Sequence, residues 1–176
     1  MIFRITPLTK PAGLDAELER LSYPHFDTTA VKTAAIDPVR LGAGVAEALP
    51  LADWVQAVGT LRDSPAVFQQ AHLARLQGTL LPQRALVVRH QGHVVAAGLT
   101  IVENGWAGLF DIVTASAARG QGFGRRTVEL LLRAAWELGA RQAYLQFSAD
   151  NTPARQLYAH YGFTERYRYW YRGHPE

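Results

Sequence analysis

Three glycines alternate with other residues between Arg119 and Arg125, in a stretch that reads Arg-Gly-Gln-Gly-Phe-Gly-Arg. Glycine lets the backbone adopt positive φ and lets a ligand approach the N–H groups closely. An apolar, strand-like segment at 109–114 precedes the stretch, and an amphipathic helical pattern at 126–138 follows it. Because the first turn of a helix leaves N–H donors without partners and carries partial positive charge, the stretch is expected to bind a phosphate or pyrophosphate.

Two common nucleotide-binding motifs do not fit this loop. The dinucleotide fingerprint G-x-G-x-x-G fails because Arg125 occupies its sixth position. The P-loop pattern G-x-x-x-x-G-K-[ST] is absent. A tight turn without any ligand would also use glycines, so the loop alone is compatible with several functions.

The composition limits the classes of function. The chain has 176 residues, of which 48% are hydrophobic and 19% are charged, which suits one globular domain. It contains no cysteine, which excludes a thiol nucleophile and cysteine metal ligands. No apolar run approaches the roughly 18 residues of a membrane span. The basic residues are nearly all Arg and are spread along the chain, as in a GC-rich genome. We expect a soluble, cytoplasmic, bacterial protein without a metal or a membrane partner.

The spacing of apolar residues and of turn signals predicts a series of short elements. The predicted strands lie at 1–6, 28–36, 84–90, 93–102, 106–114, 142–148 and 163–172. The predicted helices lie at 13–21, 51–61, 65–77, 124–138 and 154–161. A loop is predicted at 42–44. Ser64 and Thr152 are the predicted N-caps of the helices that begin with a proline.

A second pattern follows the glycine loop at a distance of one helix and one strand. Residues 151–163 read Asn-Thr-Pro-Ala-Arg-Gln-Leu-Tyr-Ala-His-Tyr-Gly-Phe. They resemble the N-x-x-A-x-x-L-Y-x-x-x-G-F signature of the GNAT superfamily of N-acetyltransferases. The loop resembles the R/Q-x-x-G-x-G/A signature of the same superfamily through Arg119, Gly122 and Gly124. The two patterns and the elements around them cover residues 85–171, which is over half of the chain.

The resemblance implies an α+β fold of the α/β-sandwich kind, the acyl-CoA N-acyltransferase fold of the superfamily. Its sheet is mixed and mostly antiparallel, with two splayed parallel strands, and helices flank it. We predict one domain over 1–176, with a helix–strand appendage at 1–40 and an acetyltransferase core at 41–176. The appendage is either a remnant of a second, truncated half of the same fold or a local unit. Its strand, or another subunit in a homodimer, is expected to complete the sheet edge.

The resemblance also implies acetyl-CoA as the cosubstrate. The backbone of Ile112, Val113 and Thr114 would bind the pantetheine arm and the acetyl carbonyl. Asn151 would bind the pantetheine amide region, although a role at the helix start fits it nearly as well. The residues implied for the pyrophosphate are Arg119, Gly120, Gln121, Gly122, Phe123, Gly124 and Arg125.

The implied reaction is direct attack of a primary amine on the thioester. Tyr158 matches the general acid of the superfamily, which protonates the departing thiolate. Some relatives use a Glu as general base five residues before the Asn, and this chain has Gln146 there, which cannot accept a proton. Asp111, Glu103 and a water chain are the remaining candidates, and Asp111 is the tentative base.

The resemblance implies that the acceptor is a small-molecule or peptide amine, bound against the helices at 51–81. No nucleic acid is expected as a partner, although arginines and aromatic residues alternate at 167–172. That alternation is equally typical of a strand with one packed face. A non-catalytic acyl-CoA-binding or regulatory module is the alternative function, favoured by Gln146 and disfavoured by Tyr158.

Overall fold

The computed structural model of the chain describes residues 1–42 and 46–174. The strands of the described residues are β1 (Ile2–Ile5), β2 (His25–Ala35), β3 (Glu47–Ala48), β4 (Gln83–His90), β5 (His93–Glu103), β6 (Trp106–Thr114), β7 (Gln142–Ser148) and β8 (Thr164–Gly173). The helices are α1 (Leu14–Arg20), α2 (Leu51–Arg62), α3 (Ala66–Gln77), α4 (Phe123–Glu137) and α5 (Thr152–His160). Short 3-10 turns occur at Pro38–Arg40 and Ser116–Ala118.

The elements predicted from the sequence are present, and only their ends differ. The short strand β3 was not predicted, because two residues give no periodic pattern. The predicted loop at 42–44 lies outside the described residues apart from Gly42.

Both predicted N-caps are wrong by one residue. Pro65, not Ser64, occupies the N-cap of α3, and no side chain caps that helix. Asn151, not Thr152, caps α5, and its side chain accepts from the N–H of Ala154. The prediction placed each proline at the first helical position, but α3 begins one residue after Pro65 and α5 begins one residue before Pro153.

The residues group into two compact units, Ala35–Ala143, here called the central unit, and Met1–Ala34 with Tyr144–Glu176, here called the terminal unit. In the central unit the strand order is β6-β5-β4-β3, and all of these pairs are antiparallel. The β4–β5 and β5–β6 turns consist of Gln91–Gly92 and Asn104–Gly105, all at positive φ. This geometry matches the right-handed twist of the strands, as the predicted hairpins require.

The central unit buries its sheet on both faces. Trp54 and Val58 of α2 pack with Ala97 and Leu99 of β5 in one hydrophobic cluster. On the opposite face, α4 lies directly on β5 at Gly98, where an added Cβ would be only 2.6 Å from Leu131 Cδ1. Residues 96–100 of β5 are therefore buried without interruption, because helices cover both faces of the sheet.

The terminal unit has the strand order β1-β8-β2-β7. β8 pairs antiparallel with β1 on one side and with β2 on the other. The strand predicted at 28–36 corresponds to β2 and pairs with the last strand, β8, while β1 lies at the end of the strand order. The arginine–aromatic segment at 167–172 lies inside β8. The division into 1–40 and 41–176, and the origin of residues 1–40, stay predictions.

Candidate functional site

The glycine loop has the backbone conformation that its sequence demands. Gly120 has φ +76° and Gly122 has φ +86°, values at which a side chain is strained. Gly122 is the N-cap of α4, and no side chain occupies the capping position. An added Cβ would meet nothing within 4 Å at either glycine, so the backbone angle, not crowding, requires glycine here.

The N–H groups of the loop are available to a ligand. Within the described residues, the backbone N–H groups of Gly120, Gln121, Gly122, Phe123 and Gly124 donate no hydrogen bond. The first intrahelical bond begins only at Arg126, whose N–H donates to Gly122 O at 3.0 Å. Consecutive donors at a helix start, without a side-chain cap, form a site for an anion.

Arginines add positive charge around the same loop. Arg119 is exposed immediately before Gly120. Arg125 Nε lies 3.6 Å from Glu129 Oε1, and Arg126 Nη1 lies 4.0 Å from Glu129 Oε2, so one carboxylate is shared by two guanidinium groups. The loop therefore keeps net positive charge, which favours a pyrophosphate.

β6 carries a β-bulge before the loop, at Asp111 and Ile112. Phe110 pairs with Leu99, whereas Val113 pairs with Ala97, so two residues of β6 oppose one residue of β5. Asp111 has φ +52°, a conformation that Asp tolerates better than most residues. Bulges occur next to functional sites because they redirect a side chain. The bulge separates Asp111 from the regular pairing of Val113 and Thr114.

Two basic side chains contact the Asp111 carboxylate. Arg62 Nη1 donates to Oδ1 at 2.8 Å, and His72 Nε2 lies 3.1 Å from Oδ2. The His72 contact has the distance of a hydrogen bond but not its alignment, because Nε2 has no acceptor by angle. The imidazole also meets the Trp54 ring edge-on, with centroids 5.8 Å apart.

The same three residues line a cavity of about 270 Å³ between α2, α3 and β6. Gly59 allows the close approach of the two helices, because an added Cβ would overlap the Gln69 side chain. Gln69 Nε2 in turn donates to Ser64 O at 2.8 Å, which ties α3 to the α2–α3 connection. The cavity walls are therefore fixed by helix packing. The remaining lining residues are Val55, Val58, Phe68, Ala71 and Arg75.

Tyr158 belongs to the terminal unit and lies on α5. Its side chain is buried between Phe147 and Phe163, with ring centroids 5.2 Å and 6.0 Å away. Burial raises the pKa of the Tyr158 phenol to about 12. The hydroxyl therefore stays protonated at neutral pH and remains a donor, as a general acid requires.

Asn151 and Gln146, in the same unit, both use their carboxamides within the protein. Asn151 Oδ1 accepts from the Ala154 N–H at 3.0 Å, which is the helix-start role considered for it from the sequence. Gln146 Oε1 accepts from the Tyr169 hydroxyl at 3.0 Å. Gln146 thus stands where some relatives have a base, yet it serves to hold β8.

The predicted site residues are divided between the two units. The central unit contains the glycine loop, the end of β6 and Asp111, whereas the terminal unit contains Asn151 and Tyr158. Arg62, His72 and Arg75 were not predicted as site residues. No motif marks these residues, because they meet only when α2 and α3 pack together.

Comparison with known proteins identifies the class. The model of the acetyltransferase (GNAT) family matches residues 51–163, so the chain belongs to this family. An uncharacterized N-acetyltransferase, YobR of Bacillus subtilis strain 168, is 34% identical over 79 residues. That match covers 45% of this chain and only 32% of the relative, so this chain corresponds to about a third of the curated protein it matches.

Solved structures support the fold. A GCN5-related N-acetyltransferase from Kribbella flavida superposes with a TM-score of 0.71 at 17% identity, covering 99% of this chain and 68% of that one. Another from Sphaerobacter thermophilus gives a TM-score of 0.76 at 17% identity, covering 98% of this chain and 59% of that one. The predicted α+β fold of the GNAT kind is confirmed, and so is the recognition of the family.

The described residues contain neither a cluster suited to a metal ion nor a helix suited to crossing a membrane. In the parts of the chain at 1–42 and 46–174, no cluster of three or more His, Cys, Asp or Glu is suited to a metal ion. No helix there is long and apolar enough to cross a membrane.

Proposed function

We propose that the chain transfers an acetyl group from acetyl-CoA to a primary amine by direct attack. The observation that carries the proposal is the glycine loop, with its consecutive free N–H donors and its surrounding arginines. These groups fit a pyrophosphate, and the backbone of Ile112, Val113 and Thr114 is proposed to hold the pantetheine arm and the acetyl carbonyl. Asn151, whose amide oxygen accepts from the Ala154 N–H, is proposed to bind the pantetheine amide region through its N–H₂ group.

The chemistry requires a proton acceptor on the amine. An alkyl ammonium with a pKa near 10.4 loses its proton at pH 7 at a cost of about 4.6 kcal/mol. We propose that Asp111 accepts this proton, with His72 beside it at 3.1 Å to share the proton. Arg62 holds the other carboxylate oxygen, so only Oδ2 faces the imidazole and the incoming amine.

Tyr158 is proposed as the general acid. As the amine nitrogen bonds to the acetyl carbon, the carbon–sulfur bond breaks and the sulfur carries the negative charge. The phenol donates its proton to that sulfur, which yields free coenzyme A. The second proton, which the attacking nitrogen loses as the amide forms, converts the phenolate back to the phenol. A phenol whose pKa is about 12 does not ionise before the thiolate forms, so the donor is present in every turnover.

A substitution in the loop tests the carrying observation. In Gly122→Val, a β-branched residue would have to adopt φ +86°, so the loop must change and coenzyme affinity should fall by at least about tenfold. Gly105→Val is the matched control, because Gly105 has φ +78° in the β5–β6 turn and equally open surroundings. Calorimetric titration with coenzyme A measures both. Equal losses in the two variants would contradict the assignment of the loop.

A second experiment tests Tyr158. Tyr158→Phe should lower kcat by about 10²-fold or more, with coenzyme affinity unchanged, because only the proton donor is removed. Release of the thiol from acetyl-CoA in the presence of an amine panel measures kcat. In an alkaline titration followed by the absorbance of ionised tyrosine, the wild type and this variant should differ only near pH 12, where Tyr158 ionises after the ordinary tyrosines. Unchanged kcat would remove Tyr158 from the mechanism.

The alternative is a non-catalytic acyl-CoA-binding module. It is favoured by Gln146, which cannot act as a base and is engaged with Tyr169. Tight coenzyme binding without turnover of any amine would support this alternative. A cytoplasmic location and a homodimer stay predictions.

A further inference from the structure

The cavity between α2 and α3 carries more positive than negative charge. Asp111 is its only carboxylate among the lining residues, and Arg62 already neutralises it at 2.8 Å. Arg75 also lines the cavity, and its guanidinium has no ion pair or hydrogen bond within the described residues. An acceptor with several positive charges would meet repulsion here.

The positions of these groups suit an acceptor with charges of both signs. The Asp111 oxygen that faces His72 can bind an ammonium group, whereas Arg75 is left to bind an anion. Arginine forms paired hydrogen bonds with carboxylates and phosphates. An unpaired arginine one helical turn after His72 therefore lies where the anionic end of an amine substrate would be bound.

The size of the cavity and its apolar lining limit the size and chemistry of the rest of the acceptor. A volume of about 270 Å³ is at the lower end of the range of ligand sites. Phe68 lines the cavity with 66% of its surface exposed, and Val55 and Val58 are the apolar floor. The exposed ring offers an apolar contact to the body of a small ligand.

We infer that the acceptor is a small primary amine that also carries an anionic group, and that Arg75 binds this group. The inference rests on the proposed acetyl transfer and names the substrate class of the same site. Arg75 is thereby a specificity-determining residue. A carboxylate and a phosphate have the chemistry that Arg75 recognises, and the experiment separates them.

Pairs of amines that differ only in the anion provide the test. Phenylalanine and 2-phenylethylamine share the ring and the amine, and 2-aminoethyl phosphate and ethanolamine share the aminoethyl group. In the wild type, kcat/KM should be higher for the anionic member of at least one pair. Arg75→Gln should lower that preference by about tenfold or more, because a charge-assisted contact is lost.

The measured quantity is the change that a substitution causes in the ratio of kcat/KM between the anionic and the neutral amine of a pair. The ratio in a single protein is not sufficient, because the two amines differ in intrinsic basicity. Arg40→Gln is the matched control, because Arg40 is an exposed arginine of the central unit that does not line the cavity. Its preference should equal that of the wild type. Which pair responds identifies the anion as carboxylate or phosphate. An equal preference in Arg75→Gln and the wild type, or a better rate with 1,5-diaminopentane than with the anionic amines, would overturn the inference.

A binding measurement separates this inference from the proposed function. Phenylalanine and 2-aminoethyl phosphate are titrated calorimetrically into the wild type and Arg75→Gln, each saturated with coenzyme A. Binding that depends on Arg75, without turnover, would keep the inference and refute catalysis. Turnover of amines without any dependence on Arg75 would keep catalysis and refute the inference. Absence of binding and of turnover would refute both.

Discussion

Two aspartate–arginine contacts in this protein have similar distances and different surroundings. In the terminal unit, Asp15 Oδ1 accepts from Arg172 Nε at 2.8 Å and from Trp170 Nε1 at 2.9 Å. In the central unit, Asp111 Oδ1 accepts from Arg62 Nη1 at 2.8 Å. The first pair joins α1 to β8, and the second lines a cavity.

The two pairs differ in how much hydrogen-bonding capacity their charged groups keep after all contacts within the protein are made. Arg172 is only 6% exposed, and it also reaches Tyr23 O at 3.3 Å and Glu19 at 3.6 Å. The Arg172 hydrogen bond holds the pKa of Asp15 below its ordinary value, so the carboxylate is committed to its partners. Asp111 instead keeps an oxygen that faces a poorly aligned His72, in a strained backbone conformation.

A saturated ion pair is expected to stabilise the fold, whereas an unsaturated one can serve a ligand. The left-handed backbone conformation of Asp111 costs at most about 1–3 kcal/mol, and Asp tolerates it better than most residues. We therefore expect substitutions at the two aspartates to change different quantities.

The largest expected effect is on catalysis at Asp111. Asp111→Asn keeps the shape and tolerates φ +52°, because Asn also adopts this conformation readily. It removes the proton acceptor, so kcat/KM should fall by about 10²-fold or more, while the affinity for coenzyme A is unchanged. Thiol release and calorimetry measure the two quantities.

His72→Gln sharpens the same test. If the imidazole shares the proton with Asp111, this variant should lower kcat/KM by a smaller factor than Asp111→Asn, with the affinity for coenzyme A unchanged. An unchanged kcat/KM in both variants would make the Asp111 cluster a structural pair like that of Asp15.

The next effect is on stability at Asp15. Asp15→Asn leaves the largely buried guanidinium of Arg172 without its main partner, so the free energy of unfolding should decrease by about 2 kcal/mol. The kcat of the folded protein should not change. Glu17→Gln is the control, because Glu17 pairs with Arg20 on the surface at 2.6 Å and such pairs contribute at most about 1 kcal/mol. Chemical denaturation followed by circular dichroism measures both, and equal losses would contradict the comparison.

The smallest effect is a dependence on pH. The pKa of Asp15 is lowered in the folded protein from an ordinary value of 3.8, chiefly by the hydrogen bond from Arg172. The unfolded chain therefore takes up the proton first as the pH falls, and the stabilisation is present above pH 3.8 and is lost below it. The difference in stability between the wild type and Asp15→Asn should be constant from pH 7 to 5 and should shrink below pH 3.8. A stability difference between the wild type and Asp15→Asn that grows as the pH falls below 3.8 would contradict a lowered pKa of Asp15.

The sequence alone determined the elements, the family and the conformation of the glycine loop. Apolar periodicity and the two glycine hairpin turns fixed the order of strands and helices, since these depend on neighbours along the chain. The glycine loop could be predicted because Gly120 and Gly122 must adopt positive φ, which is a local property. The motif around Asn151 and Tyr158 identified the family for the same reason.

Only the tertiary structure decided how the cavity between α2, α3 and β6 is built. Arg62, His72 and Asp111 are far apart in sequence, and none belongs to a motif. They meet because Gly59 allows α3 to approach α2 and because a bulge in β6 redirects Asp111. The partner of β8 was also open until pairing with β2 was seen. Contacts between distant segments follow from packing and from strand register, which no local pattern encodes.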